Sequence, residues 1–421
     1  MKALLVERLA HRFAAARLAA MTVGSGSGIG IGPIRLMDLD APELPGPGWQ
    51  RIRPRLAGIC GSDLATVDGE SSRYFEDIVS FPFVLGHEIV ADVADDGRRV
   101  VVEPVLGCLA RGVEPPCPAC AAGRKGACER LAFGHIHPGL QTGFCSDTGG
   151  GWSEELVAHE SQLHDVPAEF SDEAAVMIEP TACATHAALA GKVGPEDRVV
   201  VLGAGTLGLA VIAALHHFSP PRALIAVARH QIQRDFAHEL GADEVVAEDE
   251  LGRAARRLTG SLALGKRSAE RGRLTGGVDV VFDCVGSSSS IAEALAVTRP
   301  GGRIVLVGMP GQVRVDLAPL WHREISLIGA YAYGVEERGA ALVSTFDLAF
   351  ELVAACDLGR LVSAHYPLER YEEAVKHAAS AGRRGSVKVV FDLRRPPRAQ
   401  LATARALRHT GENPAYEMET D

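Results

Sequence analysis

A glycine-rich turn between an apolar strand and a helix constrains the fold of this chain more than any other feature. Residues 199–208 read VVVLGAGTLG, so an uninterrupted apolar run leads directly into Gly-x-Gly-x-x-Gly. In this pattern the first glycine permits a tight turn, the second lets a ligand approach the backbone, and the third lets the helix pack closely on the strand. Free N–H groups at the start of the helix attract phosphate. The sequence therefore predicts a dinucleotide site whose contacts come from Gly203, Gly205, Thr206, Leu207 and Gly208.

The region around this turn alternates between apolar strands and helices. Ser171 is the predicted N-cap of a helix over residues 172–190. Further predicted strands lie at 198–202, 223–228, 278–283 and 303–307, and predicted helices lie at 207–216 and 231–240. Continuous apolar strands that alternate with helices indicate a parallel sheet covered on both faces. The fold class is therefore α/β, with a doubly wound parallel sheet.

The first half of the chain has a different pattern, in which short apolar runs stand between glycines and prolines. Runs at 50–55 and 98–103 predict antiparallel strands of a barrel-like domain, and a first strand at 2–7 precedes a predicted surface insertion. Residues 252–277 have no firm apolar stripe and are predicted to extend a helix and then loop outward, without an assigned function. The predicted organisation is a catalytic domain at 1–190 that is rejoined by 336–392, a nucleotide-binding domain at 191–335, and a mobile tail at 393–421.

The residues after the second strand bear on the choice of nucleotide. An acidic side chain at this strand end would hold the ribose 2′-hydroxyl of NAD, but Ala228 stands there and no carboxylate is present at that position. Arg229 follows, and a guanidinium suits a 2′-phosphate. The pattern favours NADP over NAD. NAD stays an alternative, because Arg229 could instead stack on the adenine.

Three separated segments carry side chains of the types that bind a catalytic zinc. They are GICGSD with Cys60 and Ser62, GHE with His87 and Glu88, and IEP with Glu179. Such a zinc takes about three protein ligands and keeps one position open. An alcohol oxygen in the open position would be polarised and its pKa lowered. Each residue alone has an ordinary structural explanation, but their combination with a dinucleotide loop favours an enzyme.

These motifs together resemble the zinc-containing medium-chain dehydrogenase/reductases, over residues 1 to about 392. The sequence is most similar to the polyol, glucose and threonine dehydrogenase branch, because Glu179 stands where liver-type alcohol dehydrogenases have a cysteine. The resemblance implies a GroES-like β-barrel catalytic domain beside a Rossmann domain. It also implies that Cys60 and His87 ligate zinc directly, and that Glu88 and Glu179 complete the shell directly or through water.

The resemblance also implies a route for the proton of the substrate. Ser62 would contact the substrate oxygen and begin proton relay. Some relatives carry a histidine three residues after this serine, but Ala65 stands there in this chain, so the relay would continue through water. Asp63 is predicted to orient the turn that carries Cys60.

A cluster of cysteines predicts a second metal site. Cys117 and Cys120 form a C-x-x-C pair, Cys128 follows, and Cys108 is the predicted fourth ligand. Four thiolates make a closed tetrahedral zinc site, which is structural and not catalytic. The family's structural lobe is similar, but its first cysteine falls at Glu114 here. A three-thiolate site that uses Glu114, or no metal, are the alternatives.

Charge and hydropathy exclude some classes of function. The net charge of −10 argues against non-specific nucleic-acid binding, and no apolar run is long enough to span a membrane. Residues 1–22 are basic and alanine-rich but do not follow the pattern of a cleaved targeting segment. Clustered cysteines in a long chain favour a reducing compartment, so a cytoplasmic location is predicted. Relatives are usually dimers or tetramers, so a homodimer or homotetramer is expected.

The predicted activity is zinc-dependent hydride transfer between a small alcohol, polyol, sugar or amino alcohol and NAD(P). One alternative is a dehydrogenase that acts on the hydroxymethyl adduct of a thiol. Another is a nucleotide-binding regulatory protein without chemistry. The intact set of candidate ligands disfavours this last alternative.

Overall fold

The computed structural model describes residues 1–264 and 273–394. Its strands are β1 Lys2–Val6, β2 Ile34–Asp38, β3 Trp49–Gly58, β4 Phe83–Val84, β5 Ile89–Val93, β6 Arg99–Val102, β7 Leu156–His159, β8 Leu163–Asp165, β9 Arg198–Leu202, β10 Ala223–Val227, β11 Glu244–Val246, β12 Ala263–Leu264, β13 Arg273–Leu274, β14 Val278–Asp283, β15 Thr298–Leu306, β16 Ser326–Gly329, β17 Val335–Arg338, β18 Ala341–Ser344, β19 Val362–Tyr366 and β20 Lys388–Asp392. Its α-helices are α1 Ala10–Thr22, α2 Gly61–Val67, α3 Pro118–Ala121, α4 Asp172–Val176, α5 Ile178–Ala190, α6 Thr206–Phe218, α7 Gln231–Glu239, α8 Leu251–Thr259, α9 Ser288–Val297, α10 Ala318–His322, α11 Thr345–Cys356 and α12 Tyr371–Ala379.

A six-stranded parallel sheet forms the nucleotide-binding half, in the order β11-β10-β9-β14-β15-β16. The predicted strands at 198–202 and 278–283 coincide with β9 and β14. Val199, Val200 and Val201 are fully buried, because helices cover both faces of the sheet. The prediction of a doubly wound parallel sheet is confirmed.

The helix predicted over residues 172–190 is in fact two helices, α4 and α5, joined at Met177. Ser171 caps α4 as predicted, because its hydroxyl accepts a hydrogen bond from the Ala174 N–H. Pro180 explains the break, since a proline has no N–H to donate to the carbonyl of Val176 and its ring clashes with that carbonyl. Glu179 therefore lies in the first turn of a separate helix, α5.

The other half is built on a sheet in the order β19-β20-β3-β5-β6-β8, with β7 pairing beside β3. β20 lies antiparallel to β3, so the last described strand of the chain joins this sheet. A small sheet in the order β2-β1-β4 packs beside it. These strands agree with a GroES-like domain beside a Rossmann domain, while the residue boundaries between the two stay predictions.

The predicted N-terminal insertion is a folded element. Helix α1 follows β1, and a glycine-rich segment then leads to β2. The Asp68 carboxylate anchors that segment by accepting hydrogen bonds from the Gly26 and Gly28 N–H groups, at 2.7 and 3.1 Å. Ala16 is fully buried against Gly28 and Gly32. The insertion is therefore fixed to the catalytic half along its length.

The second predicted addition also begins as expected. Helix α8 occupies its start, and β12 and β13 then pair as a short antiparallel hairpin. Residues 265–272 and the predicted tail from 395 onward lie outside the described residues. Among the residues that the structure does describe, no helix combines the length and the apolar character that crossing a membrane requires.

Candidate active site

A cleft of about 2130 Å³ lies between the two halves of the molecule. It is lined by the residues predicted for catalysis and by those predicted for nucleotide binding: Cys60, Ser62, His87, Glu88, Glu179, Gly203, Gly205, Thr206, Leu207, Gly208 and Arg229. The structure therefore brings both predicted sets to one place.

The turn that carries Cys60 is fixed by Asp63. One carboxylate oxygen of Asp63 accepts a hydrogen bond from the Cys60 N–H at 2.9 Å. The other lies 3.4 Å from Nδ1 of His87, and in the described structure neither of these two buried atoms has a hydrogen-bond partner. A metal-binding histidine commonly directs its second ring nitrogen to a carboxylate. The pair therefore fits a histidine whose Nε2 faces a metal, and Asp63 orients the turn as predicted.

A buried lysine that the sequence analysis missed contacts this site. Lys388, 2% exposed, donates hydrogen bonds from Nζ to the Glu88 carboxylate and to the carbonyl of Ile59, the latter at 3.2 Å. Burial lowers the pKa of Lys388, but the charges of Glu88 and Cys60 outweigh it and raise that pKa. Glu88 is therefore already neutralised by an ammonium group, which makes it the less available of the two predicted carboxylate ligands.

Glu179 faces the cleft from the first turn of α5. Burial and the nearby Glu88 charge raise the pKa of Glu179 to about 7, against the opposing effects of His87 and Lys388. Cys183, one turn further along, donates a hydrogen bond from Sγ to Glu179 at 3.6 Å. Cys183 also lines the cleft.

The glycine-rich turn has the geometry that a dinucleotide requires. Gly203 has φ +88°, which disfavours a side chain. A Cβ on Gly208 would lie 1.8 Å from the carbonyl oxygen of Gly203, so the helix packs directly on the turn. A Cβ on Gly205 would meet nothing within 4 Å, so its open side is available for a pyrophosphate. The residues present therefore fit a nicotinamide dinucleotide.

A carboxylate lies near Arg229 after all. Nη2 of Arg229 is 2.9 Å from Oε2 of Glu248, which follows the neighbouring strand β11. Ala228 supplies no carboxylate at the end of β10, as the sequence shows, but the neighbouring segment does. The Arg229 side chain is still 75% exposed at the edge of the cleft, and Ala228 is buried.

The four predicted thiols form a compact cluster. The Sγ atoms of Cys108, Cys117, Cys120 and Cys128 lie within 4.8 Å of one another, and no disulfide joins them. The Cys108 and Cys128 sulfurs are 3.7 Å apart, close to the ~3.8 Å that tetrahedral bonds of about 2.3 Å to zinc imply. Glu114 does not belong to the cluster.

Backbone N–H groups surround the sulfurs, donating to Cys108, Cys117 and Cys128 at 3.3, 3.4 and 3.4 Å. Burial raises the pKa of Cys117, but hydrogen bonds from two N–H groups outweigh it and lower that pKa to about 6. This donor set fits thiolate ligands of a structural metal. Within the described part of the chain it is the one group of three or more ligand atoms this close together, so Cys60, His87 and Glu179 stand further apart.

Two family models match the chain. Residues 46–168 match the alcohol dehydrogenase GroES-like domain, and residues 206–347 match the zinc-binding dehydrogenase domain. A sorbitol dehydrogenase of Arabidopsis thaliana is 30% identical over 87% of this chain and 94% of its own length. An L-idonate 5-dehydrogenase of Vitis vinifera is 28% identical over 87% of this chain and 93% of its own.

The fold also has solved neighbours. A structure described as a short chain alcohol dehydrogenase from E. coli CFT073, complexed with NADH, superposes with a TM-score of 0.67. The two sequences are 22% identical, and the superposition covers 93% of this chain and 99% of the neighbour, so the similarity bears on the fold alone. The fold and the site define a zinc- and nicotinamide-dependent oxidoreductase. The chain belongs to the zinc-containing medium-chain alcohol and polyol dehydrogenases.

Proposed function

We propose that this enzyme oxidises an alcohol to a carbonyl compound with NADP as the hydride acceptor. The observation that supports this most is that Cys60 and His87, which both contact Asp63, line the same cleft as the open Gly205 turn. In the reaction the carbinol C–H bond breaks, its electron pair passes with the hydrogen to C4 of the nicotinamide, and the hydroxyl proton leaves as the C=O bond forms. A zinc ion bound by Cys60, His87 and Glu179 would polarise the alcohol oxygen.

The protein's own groups bind, orient and move the proton. The glycine turn and the start of α6 would hold the pyrophosphate of the nucleotide, in the same cleft that Cys60 lines. Ser62 lines the same cleft two residues after Cys60 and is the proposed first acceptor of the substrate proton. Ala65 also lines it and offers no acceptor, so the proton continues to water.

The preference for NADP rests on the edge of the cleft that would face the adenosine ribose. Arg229 is exposed there, Ala228 supplies no carboxylate, and a second cation, Arg383, lines the same cleft. Gly382 brings that segment against His230 at the start of α7. Glu248 weakens the argument for NADP, because its carboxylate pairs with Arg229. This ion pair must break before Arg229 can bind a 2′-phosphate. One solved neighbour holds NADH and another holds NADP, so the fold by itself does not decide between the two nucleotides.

Arg229→Ala is expected to raise KM for NADP by about tenfold or more, because a charge-assisted contact to the phosphate is lost. KM for NAD should change little. Glu248→Gln is the companion variant and should lower KM for NADP, because it frees Arg229. Steady-state kinetics with both nucleotides measure this. A Glu248→Gln enzyme that loses NAD turnover and gains nothing with NADP would instead assign Glu248 to the ribose hydroxyl of NAD.

The activity itself is tested by following nicotinamide absorbance with a panel of simple alcohols, aryl alcohols, polyols, sugars and amino alcohols, each with NADP and with NAD. Turnover on any class supports the proposal, and the faster nucleotide decides the preference. Activity only after a thiol is mixed with formaldehyde would favour the thiol-adduct reaction. Bound nucleotide and zinc without turnover on any compound would favour the regulatory alternative.

Two zinc ions per chain and a homodimer complete the proposal. Strand β16 ends the parallel sheet with an open edge on which Leu327 is 43% exposed, and Trp321 nearby is 80% exposed. Two copies that pair along β16 would cover both residues and extend the sheet. Light scattering should give twice the chain mass, and Leu327→Lys should give the single mass. A wild-type monomer would contradict the dimer, and four times the chain mass would indicate the tetramer.

The cytoplasmic location remains a prediction from the clustered cysteines.

A further inference from the structure

One face of the N-terminal helix α1 forms part of the wall of the cleft. Ala10, Phe13, Ala14 and Arg17 all line it, at the i, i+3, i+4, i+7 spacing of a single helical face. The neighbouring Leu18 is 64% exposed and does not line the cleft. The inserted helix therefore presents one phenyl ring, two methyl groups and the Arg17 side chain to the cleft that the candidate metal ligands also line.

Phe13 begins a row of aromatic rings that runs to His87. Each ring lies close to the next one in the row. The centroid distances between successive rings are 6.4 Å for Phe13–Phe81, 4.9 Å for Phe81–Phe83, 5.3 Å for Phe83–Phe144 and 5.9 Å for Phe144–His87. All of these side chains line the cleft. The separations are those of favourable edge and offset contacts, so the row offers an aromatic surface to a ligand ring.

Two pairs of polar groups beside this row are already engaged with each other. The Thr66 hydroxyl donates to the carbonyl of Ser62 at 3.0 Å and is 3.1 Å from the Ser71 hydroxyl. At the outer end Arg8 pairs with Glu76 at 3.3 Å and lies 6.0 Å from the centroid of the Phe81 ring. Where a polyol lay against the phenyl rings, its hydroxyls would lose water and gain no hydrogen bond from the rings, which disfavours binding there.

We propose that the substrate is an alcohol whose carbinol carbon carries an aromatic group, or the matching aryl ketone in the reverse direction, and that α1 is a specificity element which holds the aryl ring. This inference rests on the proposed function for its chemistry. The aryl ring lies against Phe13, Phe81 and Phe144, and the carbinol carbon then faces Cys60 and Ser62. The reaction balances as above, with hydride passing to NADP and the hydroxyl proton to water.

The test compares α-methylbenzyl alcohol, isopropanol and sorbitol in the wild-type holoenzyme and in the Phe13→Ala, Phe13→Leu and Leu18→Ala variants. Phe13→Ala should lower kcat/KM for the aryl alcohol by about tenfold, because ring contact is lost, and leave isopropanol within about twofold. Phe13→Leu should restore part of the loss, and Leu18→Ala should match the wild type. Thermal melting checks that each variant is folded.

Binding is measured independently by saturation-transfer NMR with acetophenone and with sorbitol. Transfer to the aryl protons that falls in Phe13→Ala supports the proposal even without turnover. Preferred turnover or binding of sorbitol, or a Phe13→Ala loss that is equal for all alcohols, overturns it and leaves the dehydrogenase activity standing. Aryl binding without turnover of any alcohol by the wild type would instead count against the proposed function alone.

Discussion

Replacing Cys60 by alanine is expected to lower kcat/KM for alcohol oxidation by about a thousandfold or more, since several kcal/mol of polarisation by the metal is lost and each ~1.4 kcal/mol is tenfold. Cys60 lies at the N-cap of α2, in the turn that Asp63 holds, and its side chain faces the cleft with His87. Loss of the thiolate removes one of about three protein ligands that a catalytic zinc needs. Zinc content should therefore fall by one ion per chain.

Cys356→Ala is the matched control, because this half-buried thiol ends α11 and does not line the cleft. It should keep the zinc content and the turnover of the wild type. Both variants should bind NADP, since the turn at Gly203 is untouched. Normal kcat/KM and zinc content in Cys60→Ala would refute the assignment of Cys60 as a ligand.

Replacing Cys117 by serine is expected to remove the second zinc and destabilise the protein. Cys117 is 1% exposed, and its sulfur accepts the Cys120 N–H at 3.4 Å within the four-thiol cluster. Structural zinc contributes directly to folding, so weakening its site by about 3 kcal/mol should lower the melting temperature by roughly 5 °C. Thermal melting with metal analysis measures both effects. Turnover of the variant at low temperature should survive, because this cluster is separate from the Cys60 site.

Two further variants decide which residue completes the cluster. Cys108→Ser should reproduce the loss of zinc, because the Cys108 sulfur is fully buried 3.7 Å from that of Cys128. Glu114→Gln should have no effect on zinc content. The opposite pattern, zinc lost in Glu114→Gln and kept in Cys108→Ser, would support the three-thiolate alternative.

Features that depend on local patterns could be predicted from the sequence. The three glycines of the nucleotide turn, strand β9 and helix α6 follow from an apolar run that leads into Gly-x-Gly-x-x-Gly. The cysteine cluster follows from C-x-x-C spacing in the same way, and Cys108 joins it despite the looped-out segment before Cys117. In both cases residues that are close together in the sequence determine most of the site's geometry.

The features that were missed depend on contacts between distant residues. Lys388 pairs with Glu88 across 300 positions, and only its place in an apolar strand hinted at a buried charge. Glu248 reaches Arg229 from a different strand, so the end of β10 could not reveal it. Asp68 anchors the segment after α1 through hydrogen bonds from glycine N–H groups 40 and 42 positions away, and α1 itself lines the cleft where the sequence predicts only a surface insertion.

Deuterium transfer tests the central claim most directly. The zinc-loaded enzyme is incubated with NADP or NAD and with alcohols deuterated at the carbinol carbon, beginning with α-methylbenzyl alcohol, and the reduced nucleotide is analysed by mass spectrometry. Direct hydride transfer in the cleft predicts one deuterium in the nicotinamide ring for each carbonyl product formed. Reduced nucleotide without the label, or none from any deuterated alcohol in the panel, would contradict the assignment of this cleft as the active site of an alcohol dehydrogenase.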